Sequence, residues 1–251
     1  MGQFIFGAGN IYAVPLTDYT GTAIAIPTPV QVGTMQTGSV DFSFDEKQLY
    51  GQRQFPVAQG RGKGKVTGKA TFAQLNGTLI NSLVFGQTLT SGLTAVQNDV
   101  LGTVLSGTSV TPTIPLSGTW ASDLGVTSNS VPFVQVASSP TAGQYSVTAG
   151  VYTFAAADSG KTVFINFAYT ATSTSASKIT IANGFMGYAP TFSLTLSVNY
   201  NGKNGTILLN QCTSSKFSMA TKLDDFAIPE FDFAAMSDGN NVLGTLSFTD
   251  K

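Results

Sequence analysis

Histidine is absent from this 251-residue chain, cysteine occurs once, and only 10% of side chains are charged. Acid–base, nucleophilic and metal-assisted catalysis draw mainly on those residue types. Between Lys69 and Lys161 the titratable groups are Asp99, Asp123, Asp158 and tyrosines. The shortage points away from an enzyme and towards a protein that builds or binds. No catalytic, cofactor-binding or metal-ligating residues are expected. A lone Cys212 cannot close an internal disulfide, so no secreted disulfide framework is expected, and the residue reads as an inert strand position. Apolar runs are short and broken by Gly, Ser or Thr, so no membrane-spanning helix and no membrane partner are expected. Residues 1–21 lack a basic segment and a continuous apolar core, and Phe6 stands where a myristoylation motif needs Ser or Thr. The expectation is a soluble protein made in a reducing compartment.

What is present is a composition for strands and turns: 42% apolar residues with 18 Phe and 27 Gly. The length suits one large all-β domain or two modest ones. A formal net charge of −1 provides little repulsion between copies, which favours association.

Period-two alternation marks the strands. Over 191–200, Phe192, Leu194, Leu196, Val198 and Tyr200 share one face, opposite Thr191, Ser193, Thr195, Ser197 and Asn199. The pairs Asn201-Gly202 and Asn204-Gly205 then supply turn chemistry, and 206–210 can return as a hairpin partner. Val40, Phe42 and Phe44 alternate with Asp41, Ser43 and Asp45. Val66, Ala70 and Phe72 alternate with Lys65, Thr67, Lys69 and Thr71, with Gly68 on the apolar side. Phe231 and Phe233 alternate with Glu230 and Asp232, and Val242, Leu246 and Phe248 follow the turn at Asp238-Gly239. All of these read as half-buried antiparallel strands.

One helix is expected. Phe72, Leu75, Leu79 and Leu83 recur at spacings of three and four, with Ile80 beside them. Thr71 with Gln74 matches a capping box, and Gly86 stands where a C-terminal glycine belongs. Gly77 inside such a helix costs roughly 1 kcal/mol against Ala, so the helix needs a sheet to pack on.

From 102 to 130 the chain is rich in Ser, Thr and Gly. Strand candidates resume at 131–137, 144–147, 151–156 and 162–171, where Val163, Ile165, Phe167 and Tyr169 share a face, and 172–177 reads as a linker. The fold class is therefore mainly β, a sandwich or barrel of antiparallel strands with one short flanking α-helix and a β-rich insertion. Residues 1–101 and 179–251 form the core domain, and 102–178 form the insertion, for which an immunoglobulin-like arrangement is a candidate. The alternative is one continuous sandwich with long loops.

Gly60-Arg61-Gly62-Lys63-Gly64-Lys65 fails the P-loop pattern, because Val66 replaces the magnesium-binding Ser or Thr, and it lacks the third glycine of a dinucleotide fingerprint. It reads as a flexible charged loop. Arg53, Arg61, Lys63, Lys65 and Lys69 nonetheless concentrate five of the twelve cations. A pI of about 5.2 argues against a dedicated nucleic-acid binder. The carboxylates lie at Asp41, Asp45 and Glu46, and at Asp224, Asp225, Glu230 and Asp232. Either the basic loop meets the acidic strands of a second copy, or it is simply solvated. Asp41, Asp45 and Glu46 lack calcium-loop spacing, and Trp120 reads as a core plug more readily than as a sugar-stacking platform.

The run 41–72, which includes Asp41, Tyr50, Arg53, Pro56, Arg61 and Phe72, resembles a segment of bacteriophage tail tube (major tail) proteins. The following helix through Gly86, the run 226–233 and the phrase at 152–161 are similar to the same group, so roughly half of the chain carries the resemblance. It implies a virion structural protein: a β-sandwich or barrel flanked by a helix, six copies of which close a ring. The rings stack into a hollow tube for DNA ejection. Other tail proteins (tape measure, terminator and tip) would be partners, and genomic DNA would pass through without specific binding. Localisation would be the virion tail, after assembly in the host cytoplasm. The resemblance also implies that a loop over 46–64, carrying Tyr50, Arg53, Phe55, Arg61 and Lys63, and an N-terminal arm presenting Phe4, Phe6, Ile11 and Tyr12 bridge neighbouring subunits. The competing expectation is another virion protein, a capsid decoration or a tail-tip module for receptor or glycan, with Trp120 and tyrosines exposed in a groove.

Overall fold

The computed structural model describes residues 7, 9–74, 76–103 and 108–249. The chain begins with strands β1 (Asn10–Pro15), β2 (Val30–Val32), β3 (Met35–Tyr50) and β4 (Pro56–Phe72). A single turn of helix, α1 (Gly77–Ile80), continues as a π turn over Asn81–Phe85. Next come β5 (Leu89–Ser91), β6 (Leu93–Thr103), β7 (Ser109–Val110), β8 (Thr119–Ser128), β9 (Val131–Pro132) and β10 (Val134–Gln135). They are followed by β11 (Gln144–Thr148), β12 (Val151–Phe154), β13 (Thr162–Ala171) and β14 (Ser177–Ile179). The chain closes with β15 (Thr191–Tyr200), β16 (Lys203–Ser218), β17 (Glu230–Met236) and β18 (Gly244–Phe248). The protein is mainly β, with antiparallel sheets and one short helix. The pair β10–β11 is parallel.

The chain forms two compact units, one of residues 1–89 and 179–251, the other of residues 90–178. The second starts earlier than position 102, where the Ser/Thr/Gly-rich texture begins. The reason is pairing: β6 runs antiparallel to β13 from Leu93↔Ala171 to Thr103↔Thr162, so it belongs with the strands that follow it.

The first unit is an open sheet in the order β2-β1-β15-β16-β17-β4-β3, and among the described residues it does not close into a barrel. β16 is long enough to serve two partners in succession, β18 against Gly205–Leu209 and β17 against Gln211–Ser218. The alternation of β15 becomes burial: Phe192 and Leu194 are fully buried and Leu196 nearly so. Tyr200 pairs with Lys203 across Asn201 (φ 51°) and Gly202 (φ 74°), a two-residue turn with both central residues left-handed. The second Asn-Gly pair lies inside β16. The core joins Ile11, Phe192, Leu194, Leu209, Phe231, Phe233, Val66 and Phe72 under Leu79 and Leu83 from the helical turns. Each such side chain stabilises by about 1.5–3 kcal/mol when taken from water.

The helix differs from its expectation at the start. Thr71 lies in β4, and its hydroxyl bonds that of Thr37 at 2.7 Å. The cap is Asn76, whose side chain accepts from the N–H of Thr78 (2.9 Å) and Leu79 (3.3 Å). Gly77 is the first helical residue, so it does not weaken an interior. Phe72 ends in the sheet because β3 pairs with β4 there, and tertiary pairing overrides local periodicity. Leu75 lies outside the described residues. Gly86 ends the helical segment at φ 59°.

The second unit is a two-sheet sandwich, β10-β11-β12-β7 over β6-β13-β8-β9. Val163, Ile165, Phe167 and Tyr169 of β13 are buried against Tyr145, Tyr152 and Phe154 of the facing sheet. Asp123 accepts from both tyrosine hydroxyls, Tyr152 at 2.9 Å and Tyr145 at shorter range. Burial, with Asp123 beside them, pushes both phenols up. Trp120 packs on this core and donates to the Tyr152 hydroxyl at 3.4 Å.

Asp158 is wholly buried, yet it ionises readily. Burial works against its charge, but the Lys161 ammonium (2.6 Å) and the Gly143 N–H (2.8 Å) outweigh it and hold the carboxyl below the ordinary 3.8. A carboxyl depressed in the folded state stabilises above its unfolded pKa, and that contribution disappears as pH falls through the folded one. Asp158→Asn should therefore lower the stability of the second unit at pH 7 by about 1 kcal/mol, because Lys161 is half exposed and screened. The gap from wild type should close well below pH 3.8. Trp120, the only tryptophan, reports this unit's unfolding by fluorescence. A gap that stays constant with pH would refute the ion pair's role.

Candidate functional site

Strands β3 and β4 pair along nearly their whole length, from Met35↔Phe72 to Tyr50↔Pro56. Their neighbour β17 accompanies β4 only over Val66–Thr71, Val66 being opposite Ala235. From Val66 to Pro56 the two strands continue with no third strand paired to them among the described residues, so a ribbon about 30 Å long runs on beyond the end of β17 at ~3.3 Å per residue. Residues 41–50 and 56–65 are all exposed.

This corrects two expectations. Residues 46–50 and 56–64 form a paired β-ribbon and only 51–55 remain a loop at its tip, and the alternating Gly60–Lys65 sequence is strand. Its glycines act as small strand residues: a Cβ at Gly64 would touch the Phe44 ring at 3.0 Å. Phe42 and Phe44 lie 40% and 47% exposed, more open than a strand with one dry face requires, because none of the described residues packs behind the ribbon.

Five expected contact residues, Tyr50, Arg53, Phe55, Arg61 and Lys63, therefore sit together on the ribbon. Arg61 covers the Phe44 ring at 4.0 Å, and Gln59 donates to Glu46 at 2.7 Å. The Tyr50 hydroxyl donates to Gln48. Around the tip, Leu49, Phe55 and Val57 are between 63% and 79% exposed. Sequence reasoning did not single out Leu49 and Val57; the signal was an apolar residue on each arm beside a turn-forming Gly51. Phe4 and Phe6 lie outside the described residues. Ile11 is not presented by an arm: it is buried in β1, while Tyr12 beside it is exposed.

The first arm of the ribbon carries Asp41, Asp45 and Glu46, and cations dominate from there to the tip and along the return arm. From 47 to 65 the ribbon carries Lys47, Arg53, Arg61, Lys63 and Lys65 and no carboxylate. Among the described residues none of these five belongs to an ion pair. The fifth member of the predicted basic cluster, Lys69, differs. It bonds Glu230 at 2.6 Å, and Lys216 bonds the same carboxylate at 2.7 Å. Lys216 first and Lys69 second pull the Glu230 carboxyl down to about 2. Glu230 is thus engaged within the chain and is a poor acceptor for a second copy. Asp225 pairs with Lys222 at 3.0 Å, and Asp224 is exposed and forms no ion pair among the described residues.

Elsewhere a groove of about 670 Å³ in the first unit is lined by Tyr19, Thr20, Asn183, Phe185 and Tyr188, with no charged side chain. Among the described residues no three His, Cys, Asp or Glu side chains converge as a metal site. Cys212 is buried, and burial raises its thiol to about 12, which keeps it protonated and unreactive. No helix of the described residues is long and apolar enough to cross a membrane. No family model matches the chain, and no curated protein matches it.

Proposed function

We propose that this chain is a structural, non-catalytic subunit of a phage tail tube, whose copies close into six-membered rings that stack into the conduit for DNA ejection. The observation that carries the self-assembly part of this reading is the ribbon. A two-stranded hairpin with no third strand is marginal in water. Here it is exposed on both arms, free of Pro within its paired arms apart from Pro56, and tipped with large apolar side chains. An edge of that kind is an aggregation hazard in a solitary protein and an assembly device in a subunit whose copies cover it. The ring number, the tube and the DNA cargo come from the sequence resemblance over 41–72, 226–233 and 152–161. In this reading the cations of the ribbon face protein partners, so that the lumen stays acidic or neutral and lets DNA slide.

Negative-stain electron microscopy of the concentrated protein is the direct test. Rings or tubes are expected. A species that stays monomeric at high concentration, and also in the presence of its tail partners, would overturn the proposal. The placement of Trp120 gives no support to a glycan platform built on it, since its ring packs on the core of the second unit.

A further inference from the structure

The projecting tip and one other exposed apolar segment lie at opposite ends of the same strands. β4 runs from the tip at Pro56 down to Thr71, which pairs with Glu230 at the start of β17. The connection from β16 to β17, residues 219–229, sits at that far end, and Pro229 accepts from the Phe72 N–H there. Fifteen residues of strand between Pro56 and Thr71 place the tip about 50 Å from this connection. Within one copy the two cannot meet.

Their surfaces nonetheless match in kind. The connection exposes Leu223 at 98% and Phe226 at 84%, with Met219 and Ile228 beside them. Its sequence from 219 to 228 holds Lys222, Asp224 and Asp225. Lys222 is taken up by Asp225, which leaves Asp224 as a carboxylate without an ion pair among the described residues. The tip offers Leu49, Tyr50, Phe55 and Val57 beside Lys47 and Arg53, which form no ion pair among the described residues, and it has no carboxylate from 47 to 59. Apolar contact supplies the driving force, and the charges select one end over the other, since two basic tips repel each other.

We infer that the ribbon tip of one copy docks on the 219–228 connection of a second copy, head to tail along the strand direction. This rests on the self-assembly reading and names its acceptor. The two patches differ, so the contact is heterologous: each copy keeps a free tip at one end and a free acceptor at the other, and the contact propagates instead of stopping at a dimer.

Cysteine pairing in the full chain tests it. Phe55→Cys and Leu223→Cys are made separately and together, with buried Cys212 left in place. Mixing the two single variants under oxidation should give a 55–223 linked dimer, and the double variant should give a ladder of linked oligomers. In addition, Leu223→Ser with Phe226→Ser should raise the protein concentration needed for assembly by about tenfold or more, the effect of removing a good hot spot. Assembled particles that lack 55–223 links, or that link only 55 to 55, would overturn the docking while leaving self-assembly intact. A protein that forms no particles at all under any condition would remove both.

Discussion

Replacing residues 45–63 with a two-residue Asn-Gly turn should abolish assembly and leave the first unit folded. Phe44 and Gly64 face each other across the ribbon, so such a turn closes the shortened hairpin as Asn201-Gly202 closes β15 onto β16. The deleted residues bury no core side chain, and the core cluster draws from β4 only at Val66, Ala70 and Phe72. The intramolecular losses are exposed ones: the stacking of Arg61 on Phe44, about 0.5–1 kcal/mol, the Gln59–Glu46 and Tyr50–Gln48 hydrogen bonds, and the strand pairing among the deleted residues themselves. Removal of exposed residues away from caps and buried networks otherwise changes stability by roughly 0.5 kcal/mol or less. If the ribbon is completed by other copies, the loss in assembly is far larger, because most of an obligate contact disappears with it. Arg53→Glu with Arg61→Glu should act in the same direction and more weakly, leaving the apolar tip in place. Sedimentation and micrographs read the first quantity, and calorimetry reads the second. A truncated protein that still forms particles would reject the ribbon as the assembly device. Equal damage to folding and assembly would show that the ribbon supports the monomer.

Gly68→Ala should be the most damaging small substitution in the first unit. Gly68 lies in β4 opposite Phe233 and Val40, on the face where the sheet buries its aromatics. A Cβ there would stand 2.2 Å from the Phe233 ring and 2.6 Å from the Ser39 carbonyl oxygen. The ring cannot swing away, since Phe233 is 1% exposed and tilts against Phe231 at 5.7 Å, and the carbonyl belongs to the paired backbone of β3. Alanine is better than glycine in a strand by about 0.5–1 kcal/mol. Overpacking costs about 1–3 kcal/mol, and the backbone contact places this site at the upper end. The clash wins, with a net loss of about 2 kcal/mol. The urea midpoint of the first unit should fall accordingly while the Trp120 signal from the second unit holds. An unchanged midpoint would show that β3 and β4 can separate locally at no cost. Gly68 keeps its place because the aromatic column needs the room.

Strand identity was readable wherever a strand has one wet face and one dry face. β15, β17 and β13 each write that asymmetry into alternate residues: Phe192 and Leu194, Phe231 and Phe233, Val163 to Tyr169. The tight turn at Asn201-Gly202 was equally legible, because both residues tolerate left-handed backbone. No strand is expected from the sequence over β6 or β8. In β8 buried and exposed positions do not alternate cleanly, since its pairing with β13 shifts register at Asn166/Phe167 and again at Ala168/Tyr169. The helix starts later than its spacing predicts because Phe72 and Leu79 satisfy a helical spacing by accident, one in the sheet and one in the helix.

The candidate site divides the same way. Residue types alone fixed the cation cluster, the absence of histidine and the aromatic residues Tyr50 and Phe55. Whether 46–64 forms a loop or a ribbon depended on register with partners, and no local pattern encodes that: a glycine–cation alternation serves either state. How far the ribbon projects is set by where β17 stops following β4, at Ala235. Likewise Glu230 and Asp224 look equivalent in the sequence, and only the fold gives one of them two lysines and, among the described residues, the other none. Local chemistry determined which segments extend and turn; pairing between residues far apart in the chain decided which of their surfaces remain uncovered, because coverage belongs to neighbours and not to the residue itself.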